Sequence, residues 1–351
     1  MQKIFLIWEK GERMNNYNVC VVGAGMVGKK MVEILIERDF PFKSLKVLAT
    51  REREEEIGGR IFKIEETKLE SFEGIDIAFF AGTEGEKGAS KIFGWEAVKM
   101  GCIVIDNGAD FRMDDRVPLV VPEVNPDALK KHQGFIANPN CSTIQMVVAL
   151  YPLHLEFGLK RIIVSTYQAV SGTGKKAVEE LQKQVESYVK GEKIINEIYP
   201  YQIFGNVIPE IGSLSDEYTG YYTEEVKMIK ETRKIMNLPD LPISATTVRV
   251  PVFNGHSESI TAQFERKVDV ESARKILEKF TGIKVIDNPE KSLYPVPLFV
   301  SGKDEVFVGR IRKNPAFENA LDLWVVADNI RKGAALNAIQ IAEKMIEMGL
   351  I

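Results

Sequence analysis

Cysteine, histidine and tryptophan are scarce, three of each in 351 residues. Cys20, Cys102 and Cys141 are widely separated, odd in number and form no Cys-x-x-Cys pair. That excludes a disulfide framework and a clustered metal site, and predicts a reduced, cytoplasmic setting with no bound metal. Basic residues are not in surplus either: 46 Lys and Arg against 50 Asp and Glu give a net charge of −4, no field for nucleic acid. No apolar run is long enough to span a bilayer, so no membrane partner is expected. Internal repeats and low-complexity tracts are also missing. The apolar run Ile4 to Trp8 is too short for a signal-peptide core and is followed at once by Glu9 and Lys10. Codons for Gly11-Glu12-Arg13 can form a purine run like a ribosome-binding site. Met14 is therefore expected to be the true start, and residues 1–13 a non-native or upstream extension.

What is present is an ordinary globular composition, 45% hydrophobic and 27% charged, on a chain long enough for two domains. "YNVCVVGAGMVGKKMVEILIE" reads as strand, glycine turn and helix. "LKVLAT", "IDIAFFAG" and "CIVIDNGADFR" supply three more strands, with a helix over about 87–100 before the last. Strands alternating with helices predict a Rossmann-type, doubly wound parallel sheet through residue 140. Beyond it, "RIIVSTYQAVSG", "ISATTVRVPVF", "HSESITAQFE", "EVFVGRIRK" and "ALDLWVVADNI" are strand candidates, with helices near 174–190, 223–236 and 270–280. They predict an α+β catalytic and dimerisation domain, 141–330, on a mixed or antiparallel sheet. Residues 191–222 read as a long irregular excursion. The last segment is helical, and packed back it would make the first domain discontinuous, 14–140 plus 331–351.

Gly23-Ala24-Gly25-Met26-Val27-Gly28 is GxGxxG between a strand and a helix, the arrangement that brings a backbone close to a pyrophosphate. At the end of the second strand stands "ATRERE" in place of the acid that binds the ribose of NAD. Thr50, Arg51 and Arg53 could receive a 2′-phosphate, which favours NADP, although Glu52 and Glu54 are close by. Cys141 follows the turn former Asn138-Pro139-Asn140 and precedes Ser142-Thr143 and a long apolar run. It is expected at a helix N-terminus, where orphan N–H groups and the macrodipole favour a thiolate; the alternative is a small buried apolar side chain. Of the histidines, His132 reads as a surface turn, His154 as packing, and His256 as an exposed position at a strand's start, suited to function. Arg249, on an alternating strand, could hold a carboxylate bidentately. Glu224 and Lys227 share a helix face, by themselves a surface ion pair.

"PNCSTIQMVVAL", "RIIVSTYQAVSGTG", "EEVKMIKETRKIM", "VRVPVFNGHSES", "FVGRIRK" and "WVVADNIRKGAALNAIQIAE" carry a resemblance, from Tyr17 to Leu350, to the bacterial aspartate-β-semialdehyde dehydrogenases. The resemblance implies NADPH-dependent reduction of β-aspartyl phosphate to the semialdehyde with release of phosphate, on the route to lysine, methionine and threonine. It implies Cys141 as the nucleophile that forms a thioester, His256 as acid/base, and Gln168 as the group that orients the acyl-enzyme. Arg249 would meet the α-carboxylate, Glu224 the ammonium, and Lys227 and Arg112 the phosphate, with Asn140 a further substrate contact and Glu225 a rival to Glu224. Ser171 and Gly172 would approach the nicotinamide end of the cofactor. A homodimer is implied, with tetramers as the other assembly. The chain departs from the family's frequent GxxGxxG and from its Ser or Thr before Arg112. The rival readings are an N-acetyl-γ-glutamyl-phosphate reductase, a glyceraldehyde-phosphate type of dehydrogenase and a non-catalytic NADP-binding thiol sensor. Glu224, as the partner of a free amino group, separates the first from the family itself.

Overall fold

A computed structural model describes residues 16–82 and 85–351, so the extension expected at 1–13 and the start expected at Met14 lie outside the described residues. The first half is built on a seven-stranded sheet: β1 (Tyr17–Val22), β2 (Phe42–Ala49), β3 (Arg53–Ile57), β4 (Arg60–Glu66), β5 (Ile77–Phe80), β6 (Ile103–Asp106) and β7 (Phe135–Ala137). Their order is β3-β4-β2-β1-β5-β6-β7. All neighbours pair parallel except β3 and β4, an antiparallel hairpin at one edge. That hairpin departs from the all-parallel expectation. Its Arg- and Glu-rich sequence is exposed along the sheet's margin and carries little of the apolar alternation that marks a strand.

Alternate residues of β1 face opposite layers. Val19 and Val21 join helix α1 (Met26–Glu37) in one core, while Cys20 and Val22 join the other. The helix expected near 87–100 is a π turn, Ser90–Gly94, running into α2 (Trp95–Lys99).

After α3 (Cys141–Phe157) the chain forms a six-stranded mixed sheet in the order β11-β12-β13-β10-β8-β9. These strands are β8 (Leu159–Gln168), β9 (Ile243–Arg249), β10 (His256–Phe264), β11 (Ile283–Val285), β12 (Val306–Lys313) and β13 (Ala320–Ala327). Around them lie α4 (Lys175–Lys190), α5 (Thr223–Met236), α6 (Val270–Lys279) and the short α7 (Pro297–Val300). One face of the sheet (Ile162, Val164, Ile260, Ala262, Leu323, Val325) packs on α3 and α6. The other is partly open: Ile163 and Tyr167 are exposed, and Tyr167 lies against Trp324.

Residues 191–222 contain no helix or strand, as expected. They are held by α4: Glu180 accepts from the backbone N–H groups of Glu197 and Ile198, and Gln184 accepts from those of Ile203 and Phe204. The final segment opens with a π turn, Arg331–Ala335, and continues as α8 (Leu336–Glu347). Ile339, Ala342 and Met345 of α8 share the core of α1 and the first sheet. Among the described residues, no helix is long and apolar enough to cross a membrane.

Candidate active site

Cys141 is the first residue of α3, and its helix start is closed by the neighbour before it. Asn140 has extended backbone, and its Oδ1 accepts from the N–H groups of Ser142 and Thr143 at 3.0 and 3.2 Å. With the cap satisfied through Oδ1, the Nδ2 of Asn140 is left to donate to Glu224 Oε1 at 2.8 Å. Gln168 Nε2 donates to the same oxygen at 3.1 Å, while its own Oε1 accepts from Thr166 Oγ1 at 2.9 Å. Three side chains predicted for substrate binding and orientation thus form one buried network. Lys227 lies 3.8 Å from Glu224, one turn along α5.

Glu224 is buried rather than on the surface. Burial works to raise its carboxyl, but Lys227, the two amides and Arg249 together hold it below the usual range. The adjacent carboxylate is used differently. Glu225 accepts from Tyr222 N–H, closing the helix start, and from Thr247 N–H. The two glutamates thus differ in what they touch: Glu224 bonds Asn140 and Gln168, and Glu225 bonds backbone N–H groups.

Sheet register supplies the next side chains. Gln168 on β8 pairs with Arg249 on β9, and His256 opens β10 on the same face. Arg249 is buried and donates to Ala169 O at 2.7 Å. The exposed strand-edge position expected for His256 is a buried one, with no accessible surface. Its turn is covered by the 170–174 loop, which sequence alone does not fold over it. Ala169 N–H donates to His256 Nδ1 at 3.0 Å, so the neutral ring carries its proton on Nε2, which has no partner among the described residues. Burial, and then Arg249, push the imidazole well below its ordinary range.

A Cβ placed on Gly172 would lie 3.0 Å from Arg249 and 3.2 Å from His256 Nε2, so this glycine lets the 170–174 loop close over both. Ser171 is bound to Asn254 and Asn329.

The thiolate expectation for Cys141 also needs correction. The thiol is pushed up to about 12, by burial first and then by Glu224. Arg249, Arg112 and the N–H of Ser142 act in the opposite sense without prevailing. Cys141 nevertheless keeps some accessible surface, unlike Cys20 and Cys102, which are buried. The helix start is real, but crowding by protein outweighs it.

Arg112 is buried at the end of the loop after β6, bonded to Asn138 O, Asn107 O and Glu231. An open cleft of about 390 Å³ lies beside it, lined also by Ser213, Ser215, Lys227 and Lys230. Lys227 and Arg112 therefore border one space.

Three residues escaped the sequence reading. Glu231 accepts from Asn140 N–H at 2.7 Å and pairs with Arg112 at 3.0 Å. Its position seven residues after Glu224, on the same face of α5, was the available signal. Asn329 joins Ser171 to Gly255. Gly333 lies directly against Cys141: a Cβ there would sit 2.9 Å from Cys141 Cβ. Nothing local in "NIRKGAA" marks the last two, because they reach the site only through the return of the C-terminal segment.

The cofactor turn fits a dinucleotide. Gly23 has φ +106°, and a Cβ there would be 2.7 Å from Ala81 O; one on Gly28 would be 1.7 Å from Gly23 O. A Cβ on Gly25 would meet nothing within 4 Å, so the backbone faces open space there. The α1 start, from Met26 and Val27, has no side-chain cap and no acid in its first turn, which leaves its N–H groups for an anion. Thr50 and Arg51 follow β2 beside this turn. Arg53 lies on β3, its guanidinium engaged by Glu55 and by the carbonyl of Arg51.

Two family models match the chain, the semialdehyde dehydrogenase NAD-binding domain over residues 18–132 and the semialdehyde dehydrogenase dimerisation domain over residues 150–332. The aspartate-semialdehyde dehydrogenase of Aquifex aeolicus is 48% identical, covering 95% of this chain and 99% of its own. That of Bacillus subtilis is 46% identical with the same coverage. The crystal structure of aspartate semialdehyde dehydrogenase II from Vibrio cholerae complexed with ASA superposes with a TM-score of 0.89 at 39% identity, covering 94% of this chain and 98% of that one.

Proposed function

The chain belongs to the aspartate-semialdehyde dehydrogenase family, and from that premise we propose that it reduces L-aspartyl-4-phosphate to L-aspartate 4-semialdehyde, releasing phosphate, through a thioester on Cys141. One observation carries the reading: the capped start of α3 sets Cys141 beside Asn140, Glu224 and Gln168, with Arg249 and His256 on the adjoining sheet row. A bound NADPH would supply the hydride that reduces the thioester carbonyl. Glycines 23, 25 and 28 and the uncapped start of α1 would hold its pyrophosphate. NADP rather than NAD is our assignment because Thr50 and Arg51, not an acid, follow β2.

The remaining steps fall to side chains. Arg249 receives the substrate's α-carboxylate and Glu224, kept ionised by its neighbours, receives the ammonium. An acyl phosphate bound across Lys227 and Arg112 brings its carbonyl carbon to Cys141 Sγ. The S–C bond forms as the C–O bond to phosphate breaks, the thiol proton leaving with the phosphate or through His256. With Nδ1 occupied by Ala169, Nε2–H is first a hydrogen-bond donor, suited to the oxyanion of each tetrahedral intermediate. To accept a proton at Nε2, the ring must exchange its bond to Ala169. Glu224 disfavours the acetylated-glutamate alternative, since an acylated nitrogen carries no charge to pair with it. A sensor without catalysis leaves Gln168, Arg249 and His256 without a role.

The match to a dimerisation domain and the exposed Ile163 and Tyr167 on the open sheet face support a homodimer, or a tetramer built from it. The free cysteines fit a cytoplasmic location. The deciding assay follows phosphate-dependent reduction of NADP⁺ by aspartate semialdehyde in wild type and Cys141→Ala. Activity only in the wild type is expected. An inactive wild type refutes the substrate, and an active variant refutes the thioester.

A further inference from the structure

The reaction uses one row of the second sheet, and a second row beneath it is just as polar and has no role in the steps above. Gln168 pairs with Arg249, and two residues earlier on the same face Thr166 pairs with Thr247 on one side and with Glu258 on the other. His256 and Glu258 are two apart on β10 and share that face. On α3, Gln145 follows Cys141 by four residues, one turn along the same helix side. α3 packs on β10, and the Gln145 amide, one turn along from Cys141, reaches the Glu258 carboxyl, two residues along from His256.

The lower level is sealed: Gln145, Thr166, Thr247 and Glu258 are all essentially without accessible surface. The amide of Gln145 is the one side chain among the described residues that acts on the Glu258 carboxyl, and no cation does. Both oxygens of Glu258 and both polar atoms of Gln145 nevertheless lack a hydrogen bond of normal geometry. Four adjacent buried polar atoms in want of partners are costly unless they satisfy one another, and an unpaired buried carboxylate is costlier still. A protonated acid and a primary amide are complementary, because each offers one donor and one acceptor. Burial accordingly pushes the Glu258 carboxyl well above its ordinary range.

We infer that Glu258 is a neutral carboxylic acid paired with Gln145, O–H to Oε1 and Nε2–H to the acid's carbonyl, and that this pair is a positioning device which fixes the first turn of α3 over β10 and so sets the approach of Cys141 to His256. Its effect on turnover rests on the thioester reading; the protonation and the pairing do not.

Three measurements on the full chain test it. An infrared difference spectrum at neutral pH between wild type and Glu258→Gln is expected to show the carbonyl band of a protonated, water-shielded carboxylic acid; carboxylate bands alone overturn the inference. Thermal midpoints of Glu258→Leu, Gln145→Leu and the double variant are expected to be non-additive, the double variant no less stable than the weaker single one, because two apolar groups leave no orphan. Additive losses overturn the pairing. The third is alkylation of Cys141, the one cysteine that is not buried, by iodoacetamide. It is expected to slow in Glu258→Leu, with kcat down about tenfold or more and the substrate KM within about threefold, while Glu258→Gln restores both. Unchanged alkylation in a folded Glu258→Leu protein overturns the positioning role. Should that variant not fold, Gln145→Leu supplies the same comparison. The infrared and alkylation arms stand even where turnover of aspartyl phosphate is never observed, so failure here is distinct from failure of the proposed reaction.

Discussion

Gly333→Ala is the sharpest perturbation of Cys141 that leaves every side chain of the proposed reaction chemically intact. The added Cβ would stand 2.9 Å from Cys141 Cβ, 3.3 Å from its Cα and 3.6 Å from Asn329 Cβ. Carbon atoms pack at about 3.5–4.0 Å, so the first contact must open by roughly 0.6–1 Å. Neither partner yields cheaply. Cys141 is held by the Asn140 cap at the start of a helix whose next nine residues are all buried. Gly333 sits in a π turn between Lys332, bound to Glu123, Asn337 and Gln340, and the buried Ala335. Overpacking of this kind costs about 1–3 kcal/mol of stability. A displacement approaching 1 Å at a reacting atom can cost on the order of a hundredfold in rate. The expected outcome is a folded protein with a modestly lowered thermal midpoint, a kcat down by about ten- to a hundredfold, and a KM for aspartate semialdehyde close to wild type. Steady-state kinetics alongside thermal unfolding separate the two effects. A variant with full kcat would refute the reasoning, because it would mean that Cys141 is not held where the C-terminal segment meets it.

Asn140→Ala removes the acceptor for Ser142 and Thr143 and should lower unfolding free energy by about 1 kcal/mol in a denaturant titration. It also strips Glu224 of a donor, so kcat/KM should fall by more than stability explains; equal losses would argue against the shared network. Gly28→Ala places a Cβ 1.7 Å from Gly23 O and must push the glycine turn apart, so the cofactor Kd from nucleotide fluorescence should rise at least tenfold while Cys141 alkylation is unchanged. For Glu224 the folded carboxyl titrates below its unfolded range. Its contribution to stability is therefore present above the unfolded value and lost as pH falls through the folded one. Thermal midpoints of wild type and Glu224→Gln should differ at neutral pH and converge in acid; a constant gap would show that the carboxylate's ionisation is not what stabilises.

How much of this was legible in the chain depended on whether the signal was local. The strand–glycine–helix opening, α5 and the start of α3 were readable because turn formers, caps and apolar periodicity act over a few residues. The β3–β4 hairpin was not, because its charged edge strands bury little and so show no period. His256 was expected at the surface and is instead buried. Gly172, 84 residues before it, packs against it, and Asn329, 73 residues after it, bonds the neighbouring Gly255. The same distance separates a motif from its electrostatics in Cys141. Its helix start is written in "NPNCST", while the burial that raises its thiol comes from the second domain and the C-terminal return.

That difference bears on how the site works. A helix N-terminus alone would hold Cys141 as a standing thiolate, open to oxidation whether or not substrate is present. Here burial and Glu224 oppose ionisation, whereas Arg249 and Arg112 favour it. In the proposed complex the substrate's ammonium would neutralise Glu224, removing the largest charge that acts against the thiolate. Its α-carboxylate and phosphate would at the same time draw on the two arginines, so the balance is set by geometry: the ammonium sits on the carboxylate bonded to Asn140, the residue immediately before the sulfur. The ionisation of Cys141 would then follow arrival of the amino group. An analogue with the carboxylate and phosphate but no ammonium should therefore bind without speeding alkylation of Cys141, whereas the amino-bearing analogue should speed it. Equal rates with both would mean that Glu224 binds the substrate without governing the nucleophile.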